Sequence, residues 1–212
     1  MFKKLKKLTI IIGKMKNIFI TGTSRGIGKY LLDNLKNTNN IIHISGRKEV
    51  DLRNILEIKN YCKKINESKI KFDILIFNAG VGEFGGFEEN SLEDYENIIN
   101  LNLLSNIRLL KLLQANISEK TKIIFMGSII SKKFMKNASV YQASKFGLRG
   151  LAGGLKNEGK KVFLVNPKIV NTDFHKGKIE LNNNFPETKL DDILYIIQDI
   201  INGTEKRFEI DL

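Results

Sequence analysis

Tyr141 and Lys145 are the two side chains whose types and spacing most directly suggest chemistry. They lie four residues apart in a stretch with helical periodicity, so both face the same side of the predicted helix. A free tyrosine has a pKa of about 10, and an adjacent ammonium group lowers that pKa because it stabilises the phenolate. The pair therefore predicts a general acid or base. The same spacing also occurs in ordinary exposed pairs on helices.

A glycine-rich turn indicates a second kind of site. The sequence TGTSRGIG at residues 21–28 follows the apolar run NIFI and opens an amphipathic helix. Glycine permits a tight turn and lets backbone N–H groups approach a pyrophosphate, which a helix N-terminus attracts. The spacing G-x-x-x-G-x-G differs from the common G-x-G-x-x-G fingerprint, and a tight strand-to-helix connection is the alternative. Its place after the first strand favours a nucleotide site.

The end of the second predicted strand bears on which nucleotide binds. In dinucleotide-binding folds, an acidic residue about 20 positions further on holds the ribose 2′-hydroxyl of NAD. Here the strand IIHIS ends in Gly46-Arg47-Lys48, with no carboxylate at that place. Arg47 and Arg25 match the charge and geometry of a 2′-phosphate, unless both are solvated loop arginines. We expect NADPH to be preferred over NADH, with NADH possible.

Strands and helices that alternate along the chain would position these residues. Short runs rich in Ile, Val and Phe do not alternate with polar residues, which is typical of strands buried on both faces of a parallel sheet. These runs are residues 17–21, 41–45, 73–78, 122–127, 161–166 and 207–212. Helical spacing marks residues 53–67, 92–115, 139–158 and 189–201. Residues 15–212 are therefore predicted to form a single α/β domain, a Rossmann-like doubly wound parallel sheet in three αβα layers.

Composition excludes several classes of protein. The 212 residues are 42% hydrophobic and 27% charged, which is typical of a globular chain, and one cysteine allows no internal disulfide. No apolar run approaches the ~18 residues of a membrane span. The net charge of +12 is not accompanied by interleaved aromatic residues, so nucleic-acid binding is not expected. His43 and His175 have no second ligand at metal-binding spacing, and we predict no metal site.

Residues 1–14 differ from the rest of the chain. Their lysines precede a short apolar stretch, as in a signal peptide, but that stretch is shorter than the ~7–15 residues expected and no cleavage site follows. We interpret the segment as a flexible basic extension, or as residues ahead of a start at Met15; a weak membrane-surface tether is a third reading. We expect a cytoplasmic protein.

Taken together, the motifs resemble those of the short-chain dehydrogenase/reductase family. In chain order they are TGTSRGIG, Asn78-Ala79-Gly80 after the strand DILIF, Ser128, and Tyr141-Gln142-Ala143-Ser144-Lys145. Ser128 precedes Tyr141 by 13 positions, the family's usual interval, and the resemblance extends from residue 15 to residue 212. It implies an NAD(P)-dependent oxidoreductase that interconverts a carbonyl and an alcohol by hydride transfer.

The resemblance also implies a role for each residue of the site. Tyr141 would act as general acid or base, Lys145 would lower its pKa and bind the nicotinamide ribose, and Ser128 would orient the carbonyl. Asn102 would hold a water that links Lys145 to solvent. The implied cofactor contacts are Gly22, Ser24, Arg25, Gly26, Ile27, Gly28, Arg47, Asp51, Leu52, Asn78, Ala79, Gly80, Tyr141, Lys145, Val170 and Thr172. Lys168 departs from the pattern, since the family has glycine there.

The chain is short for the family in two places. Residues 47–51 leave room only for a turn, and residues 174–186, the family's substrate lid, are few and polar, which predicts an open site or one completed by a neighbouring subunit. The predicted pocket mouth is rich in lysine, which favours an anionic substrate or an acidic carrier unless these are ordinary solvated lysines. They are Lys132, Lys133, Lys136, Lys176 and Lys178. By analogy with the family, residues 92–115 and 139–158 would form a homodimer or homotetramer.

Two other functions remain open at this point. A nucleotide-sugar epimerase or dehydratase shares the tyrosine and lysine, but has a much longer C-terminal substrate region. A redox-sensing or scaffolding protein would bind the nucleotide without turnover, and it would lose the catalytic set that is complete here. The small-molecule substrate itself is not selected by any residue, because fold and motif determine the reaction type alone.

Overall fold

A computed structural model describes residues 15–172, 174 and 187–212. The predicted N-terminal extension and most of the predicted lid, with His175, Lys176 and Lys178, lie outside the described residues. The described strands are β1 (Asn17–Thr21), β2 (Asn40–Ile44), β3 (Ile74–Phe77), β4 (Lys122–Met126), β5 (Lys161–Asn166) and β6 (Glu209–Asp211). They form one parallel sheet in the order β2-β1-β3-β4-β5-β6. The predicted doubly wound, Rossmann-like α/β fold is confirmed.

Helices cover both faces of this sheet. They are α1 (Gly26–Leu35), α2 (Ile55–Glu67), α3 (Leu92–Ile99), α4 (Ser105–Leu112), α5 (Ser139–Asn157) and α6 (Leu190–Asn202). Successive side chains of a strand point to opposite faces, so Phe19 packs in one core with α2, α4 and α5, whereas Ile18 and Ile20 pack in a second core with α1 and α6. The result is three layers. None of the described helices combines the length and apolar character needed to cross a membrane.

The helix predicted over residues 92–115 is present through Leu112, but it is not α-helical throughout. A π-helical turn, Asn100–Leu104, separates α3 from α4, and a short 3₁₀ turn, Gln114–Asn116, follows α4. A π turn places one extra residue in a turn of helix, which locally shifts the face that each side chain presents. Asn102 lies within that turn and is 1% exposed.

The connection after β2 is a tight turn, as predicted. The amide groups of Glu49 and Val50 both donate to the Gly46 carbonyl oxygen, at 3.0 and 3.1 Å. Among the described residues, the chain adds no further strand between this turn and α2. β2 therefore lies at the edge of the described sheet.

The direction of strand addition reverses at β1. The neighbour of β1 on one side is β2, and β3 with all later described strands lies on the other side. At such a point the loops that follow the two central strands diverge and leave a crevice at the carboxyl edge of the sheet. The turn after β1 and the segment after β3 carry the glycine motif and Asn78, so both motifs lie at this crevice.

Candidate active site

Only glycine fits at two closely packed positions, one in the turn after β1 and one at the start of α1. Gly22 has φ of 75°, and a Cβ there would lie 2.7 Å from the Cα of Ala79. A Cβ on Gly28, in the first turn of α1, would lie 2.1 Å from the Gly22 carbonyl oxygen and 2.4 Å from Asn78 Nδ2. The glycines therefore bring α1, the turn and the segment after β3 into direct contact. We call the turn with the start of α1 (residues 21–28) and the segment after β3 (residues 78–80) together the cradle.

Hydrogen bonds hold the cradle in place. Thr21 Oγ1 accepts from the backbone amides of Asn78 and Ala79, both at 3.1 Å. The Asn78 side chain donates to the carbonyl oxygens of Thr21 and Gly22, at 3.1 and 3.0 Å. Asn78 thus has a structural role in addition to its predicted position beside the cofactor.

The first turn of α1 suits an anion. Among the described residues, none caps this helix through a side chain, and its first turn contains no acidic residue. The N–H groups at a helix start have no intrahelical partner, and the helix dipole favours negative charge there. Gly26, Ile27 and the cationic Arg25 line a cleft at this point. These residues therefore fit the pyrophosphate of a dinucleotide.

The cleft brings together residues that are distant in sequence. Its volume is about 610 Å³, and its walls are mainly apolar, with Phe84, Met126, Ile130 and Phe174 among the lining residues. The predicted site residues that line it are Arg25, Gly26, Ile27, Asn78, Gly80, Ser128, Tyr141, Lys145, Val170 and Thr172. One cavity thus joins the glycine turn to the predicted acid–base pair, as a reaction between a dinucleotide and a small molecule requires.

Tyr141 is buried against aromatic side chains near the start of α5. Its ring meets Phe84 edge-on, with centroids 5.3 Å apart, and Phe174 at 5.9 Å. Burial raises the pKa of Tyr141 to about 12, and the nearby Ser128 hydroxyl partly opposes that increase. At neutral pH the phenol therefore keeps its proton and can act as a hydrogen-bond donor and general acid.

Lys145 lies beside Tyr141 and is buried with it. Its Nζ donates to the Met126 carbonyl oxygen at 2.9 Å and lies 5.8 Å from the centre of the Tyr141 ring. Burial lowers the pKa of Lys145 to about 8. Desolvation disfavours the charged form of both groups. The expectation that Lys145 lowers the pKa of Tyr141 stays a prediction.

Asn102 connects two parts of the site. Its Oδ1 accepts from the Val81 amide at 2.9 Å, and its Nδ2 donates to the Val81 carbonyl oxygen at 2.8 Å and to Ser144 Oγ at 3.0 Å. Ser144 Oγ in turn donates to the Tyr141 carbonyl oxygen at 2.7 Å. The Asn102 side chain therefore fixes the segment after β3 relative to the start of α5. Its predicted contact with a relay water stays a prediction.

Seven of the predicted cofactor contacts do not line the cleft: Gly22, Ser24, Gly28, Arg47, Asp51, Leu52 and Ala79. Four of them lie in the cradle, and the other three lie after β2. The Asp51 carboxylate is held by Arg53, whose Nε lies 2.9 Å from Asp51 Oδ1, and this guanidinium lowers the pKa of Asp51. Leu52 is 5% exposed and belongs to the core under α2. Arg47 is exposed in the turn after β2. Any contact of these residues with a cofactor therefore stays a prediction.

The lysines of the predicted pocket mouth separate into two groups. Lys133 and Lys136 line the cleft. Lys132 instead bonds to the carboxylates of β6, with Nζ 2.8 Å from Asp211 Oδ1 and 3.2 Å from Glu209 Oε1. Lys132 thus ties the segment after Ser128 to the last strand, and the expectation that it belongs to the pocket mouth is wrong because these carboxylates hold it.

Sequence reasoning missed Phe84 and Glu49. Phe84, which lies between Gly82 and Gly85, packs on the ring of Tyr141, and only the unusual density of glycines around it could have drawn attention to it. Glu49 places its carboxylate at the end of β2, where Oε2 lies 2.8 Å from the Ser45 amide nitrogen. Its signal in the sequence was an acidic residue within the short turn after the strand.

Known proteins resemble this chain along most of its length. A family model described as short chain dehydrogenase matches residues 47–182. The 3-oxoacyl-(acyl-carrier-protein) reductase FabG of Buchnera aphidicola subsp. Acyrthosiphon pisum is 31% identical over 180 residues, which are 74% of this chain and 74% of that protein. The ketoacyl reductase HetN of Nostoc sp. is 30% identical over 164 residues, which are 66% of this chain but only 56% of that protein.

Solved structures agree on the fold. A short chain dehydrogenase from Burkholderia cenocepacia J2315, in complex with NADP, has a TM-score of 0.76 at 21% identity and covers 93% of this chain and 96% of its own. The chain belongs to the short-chain dehydrogenase/reductase family of oxidoreductases.

Proposed function

We propose that this protein is a nicotinamide-dependent oxidoreductase that interconverts a carbonyl and an alcohol, with Tyr141 as general acid or base. The observation that carries the proposal is the position of Tyr141. Its buried phenol lines the same cleft as Ser128 and the first turn of α1. A proton donor and an anion-binding helix start in one cavity are the two parts that a hydride-transfer enzyme must bring together.

The residues of the cradle fit a dinucleotide. We propose that the pyrophosphate lies against Gly26 and Ile27 at the start of α1, and that Asn78, Gly80, Val170 and Thr172 contact the rest of the cofactor. We propose NADPH as the preferred form because of Arg25 and Arg47, with NADH possible. The NADP complex of the Burkholderia cenocepacia relative supports this choice. When bound, the nicotinamide supplies or accepts the hydride.

The proton is handled by this chain's own residues. Tyr141, neutral at physiological pH because its pKa is about 12, holds a proton at Oη that it can donate to the oxygen of a carbonyl. Ser128 orients that oxygen with its hydroxyl. The Lys145 ammonium, held by the Met126 carbonyl, would stabilise the phenolate that donation leaves behind. In the reverse direction the same oxygen would take the proton of the alcohol.

The cleft suggests the kind of substrate. Its apolar walls suit a molecule with a hydrocarbon part, and Lys133 and Lys136 favour an anionic group on it. Two relatives carry the names ketoacyl reductase and 3-oxoacyl-(acyl-carrier-protein) reductase. We therefore propose 3-oxoacyl compounds as the first substrates to test. A cytoplasmic location and a homodimer or homotetramer remain part of the proposal.

The test is a screen of carbonyl compounds by loss of NADPH absorbance, followed by the variant Tyr141→Phe. This variant removes only the hydroxyl, and we expect turnover to fall by at least 100-fold while NADPH affinity stays within about twofold. Tyr195→Phe is the matched control, because Tyr195 lies on α6 and is 56% exposed. Retained activity in Tyr141→Phe, or equal loss in both variants, would contradict the assigned acid.

A further inference from the structure

The end of β2 holds two hydrogen-bond donors that converge on one carboxylate oxygen. Glu49 Oε2 accepts from the Ser45 amide at 2.8 Å and from the Ser45 hydroxyl at 3.1 Å. Ser45 directly follows β2, and its carbonyl oxygen accepts from the Ser24 amide at 3.0 Å. This pair of donors therefore adjoins the cradle. Among the described residues, the group that accepts both of these hydrogen bonds is the chain's own Glu49 carboxylate.

The position of this pair relates it to the nucleotide. In dinucleotide-binding folds the end of the second strand lies next to the 2′ position of the adenosine ribose. A carboxylate there can accept a hydrogen bond from a 2′-hydroxyl, whereas a 2′-phosphate requires donors and cations. Ser45 supplies the donors and Arg47 supplies a cation, but Glu49 already occupies the donors.

We propose that Glu49 determines cofactor specificity by competing with a 2′-phosphate for the amide and hydroxyl of Ser45. The inference rests on the proposed function in that the ligand is a nicotinamide dinucleotide. A 2′-phosphate gains the Ser45 donors only when the carboxylate leaves them, and like-charge repulsion opposes it when the carboxylate stays. A 2′-hydroxyl meets neither obstacle. Glu49 therefore weakens the binding of NADPH and leaves the binding of NADH unchanged. It thereby reduces the preference for NADPH over NADH that Arg25 and Arg47 create.

The turn permits this exchange without unfolding. The hydrogen bonds that close it join the backbone amides of Glu49 and Val50 to the Gly46 carbonyl oxygen. The Glu49 side chain takes no part in those bonds and the residue is exposed, so rotation about its side-chain bonds releases Ser45 while the turn stays closed.

The test compares two nucleotides that differ by the 2′-phosphate. Binding of 2′,5′-ADP and of 5′-AMP to the full chain is measured by isothermal titration calorimetry, with wild type, Glu49→Gln, Glu49→Ala and a control. Glu67→Gln is the matched control, because it removes the same charge from an exposed glutamate at the end of α2. That end of α2 leads into the start of β3, so it lies near the amino ends of the strands, away from the cradle. We expect Glu49→Gln to tighten 2′,5′-ADP about tenfold, equivalent to about 1.4 kcal/mol, and to leave 5′-AMP within twofold. Glu49→Ala also clears the hydrogen bonds and should tighten 2′,5′-ADP at least as much.

The possible results separate this inference from the proposed function. Unchanged binding of 2′,5′-ADP in both Glu49 variants would overturn the inference, and so would an equal change for 5′-AMP or for Glu67→Gln. Selective tightening of 2′,5′-ADP in a protein that reduces no carbonyl would support the inference and count against the proposed function. Binding of neither nucleotide to any of the four proteins would overturn both.

Discussion

Replacing Gly28 with alanine would test whether the cradle depends on direct contact between backbones. The added Cβ would lie 2.1 Å from the Gly22 carbonyl oxygen and 2.4 Å from Asn78 Nδ2, far inside van der Waals contact. Neither neighbour moves easily, because the first is backbone and the second donates to the carbonyl oxygens of Thr21 and Gly22. Overpacking of this kind costs about 1–3 kcal/mol and sometimes more, and we expect a loss near 3 kcal/mol because two fixed groups are involved.

The matched control is Gly154→Ala. Gly154 lies in α5, and among the described residues no atom outside the local helix comes within 4 Å of an added Cβ there. Alanine in place of glycine within a helix contributes about 0.5–1 kcal/mol, so this variant should be slightly more stable than wild type. The same substitution thus has opposite expected signs at the two sites.

Urea denaturation measures both changes, and fluorescence titration with NADPH measures the effect on the cradle. We expect Gly28→Ala to lower both the free energy of unfolding and the NADPH affinity, whereas Gly154→Ala leaves the affinity unchanged. A Gly28→Ala protein that unfolds within about 0.5 kcal/mol of wild type and binds NADPH equally well would refute the reasoning.

Two further predictions concern charged side chains. Burial lowers the pKa of Lys145 to about 8, compared with about 10.4 in the unfolded chain. Between these two pH values the unfolded state binds a proton that the folded state has lost. The free energy of unfolding of wild type should therefore rise with pH, relative to that of Lys145→Met, by at most about 1.4 kcal/mol per pH unit. Denaturation curves of both proteins at pH 7, 8 and 9 check this, and parallel pH dependences would contradict it. For an anionic substrate, KM should rise with salt, and Lys133→Gln/Lys136→Gln should lose that dependence while Lys132→Gln keeps it, because Lys132 is bound to Asp211. Steady-state kinetics at several salt concentrations check this, and a wild-type KM that ignores salt would remove the anionic substrate.

The sequence predicted those parts of the fold and site that depend on local pattern. β1 and β5 have the predicted bounds because uninterrupted apolar runs define strands buried on both faces. The glycine motif and the Tyr141–Lys145 pair lie at one cleft because parallel strands bring their carboxyl ends to a common edge. These features follow from residue type and order alone.

Other features depend on contacts that no local pattern specifies. Apolar residues continue through residues 92–115 with helical spacing, so the π turn around Asn102 leaves no gap in the pattern. Lys132 pairs with Asp211, 79 positions away, and only the formed sheet brings the two together. Burial raises the pKa of Tyr141, and side chains from distant segments, Phe84 and Phe174, contribute to that burial.

The close packing of Gly22, Gly28 and Asn78 has a consequence for the kinetics of ligand capture. A backbone already held in its receptive shape loses little conformational entropy when a ligand arrives, so the interaction energy goes into affinity instead of into ordering loops. Association at the cradle should then approach the rate set by diffusion and orientation. Any slow isomerisation seen in stopped-flow traces would therefore report on parts of the chain other than the glycine turn.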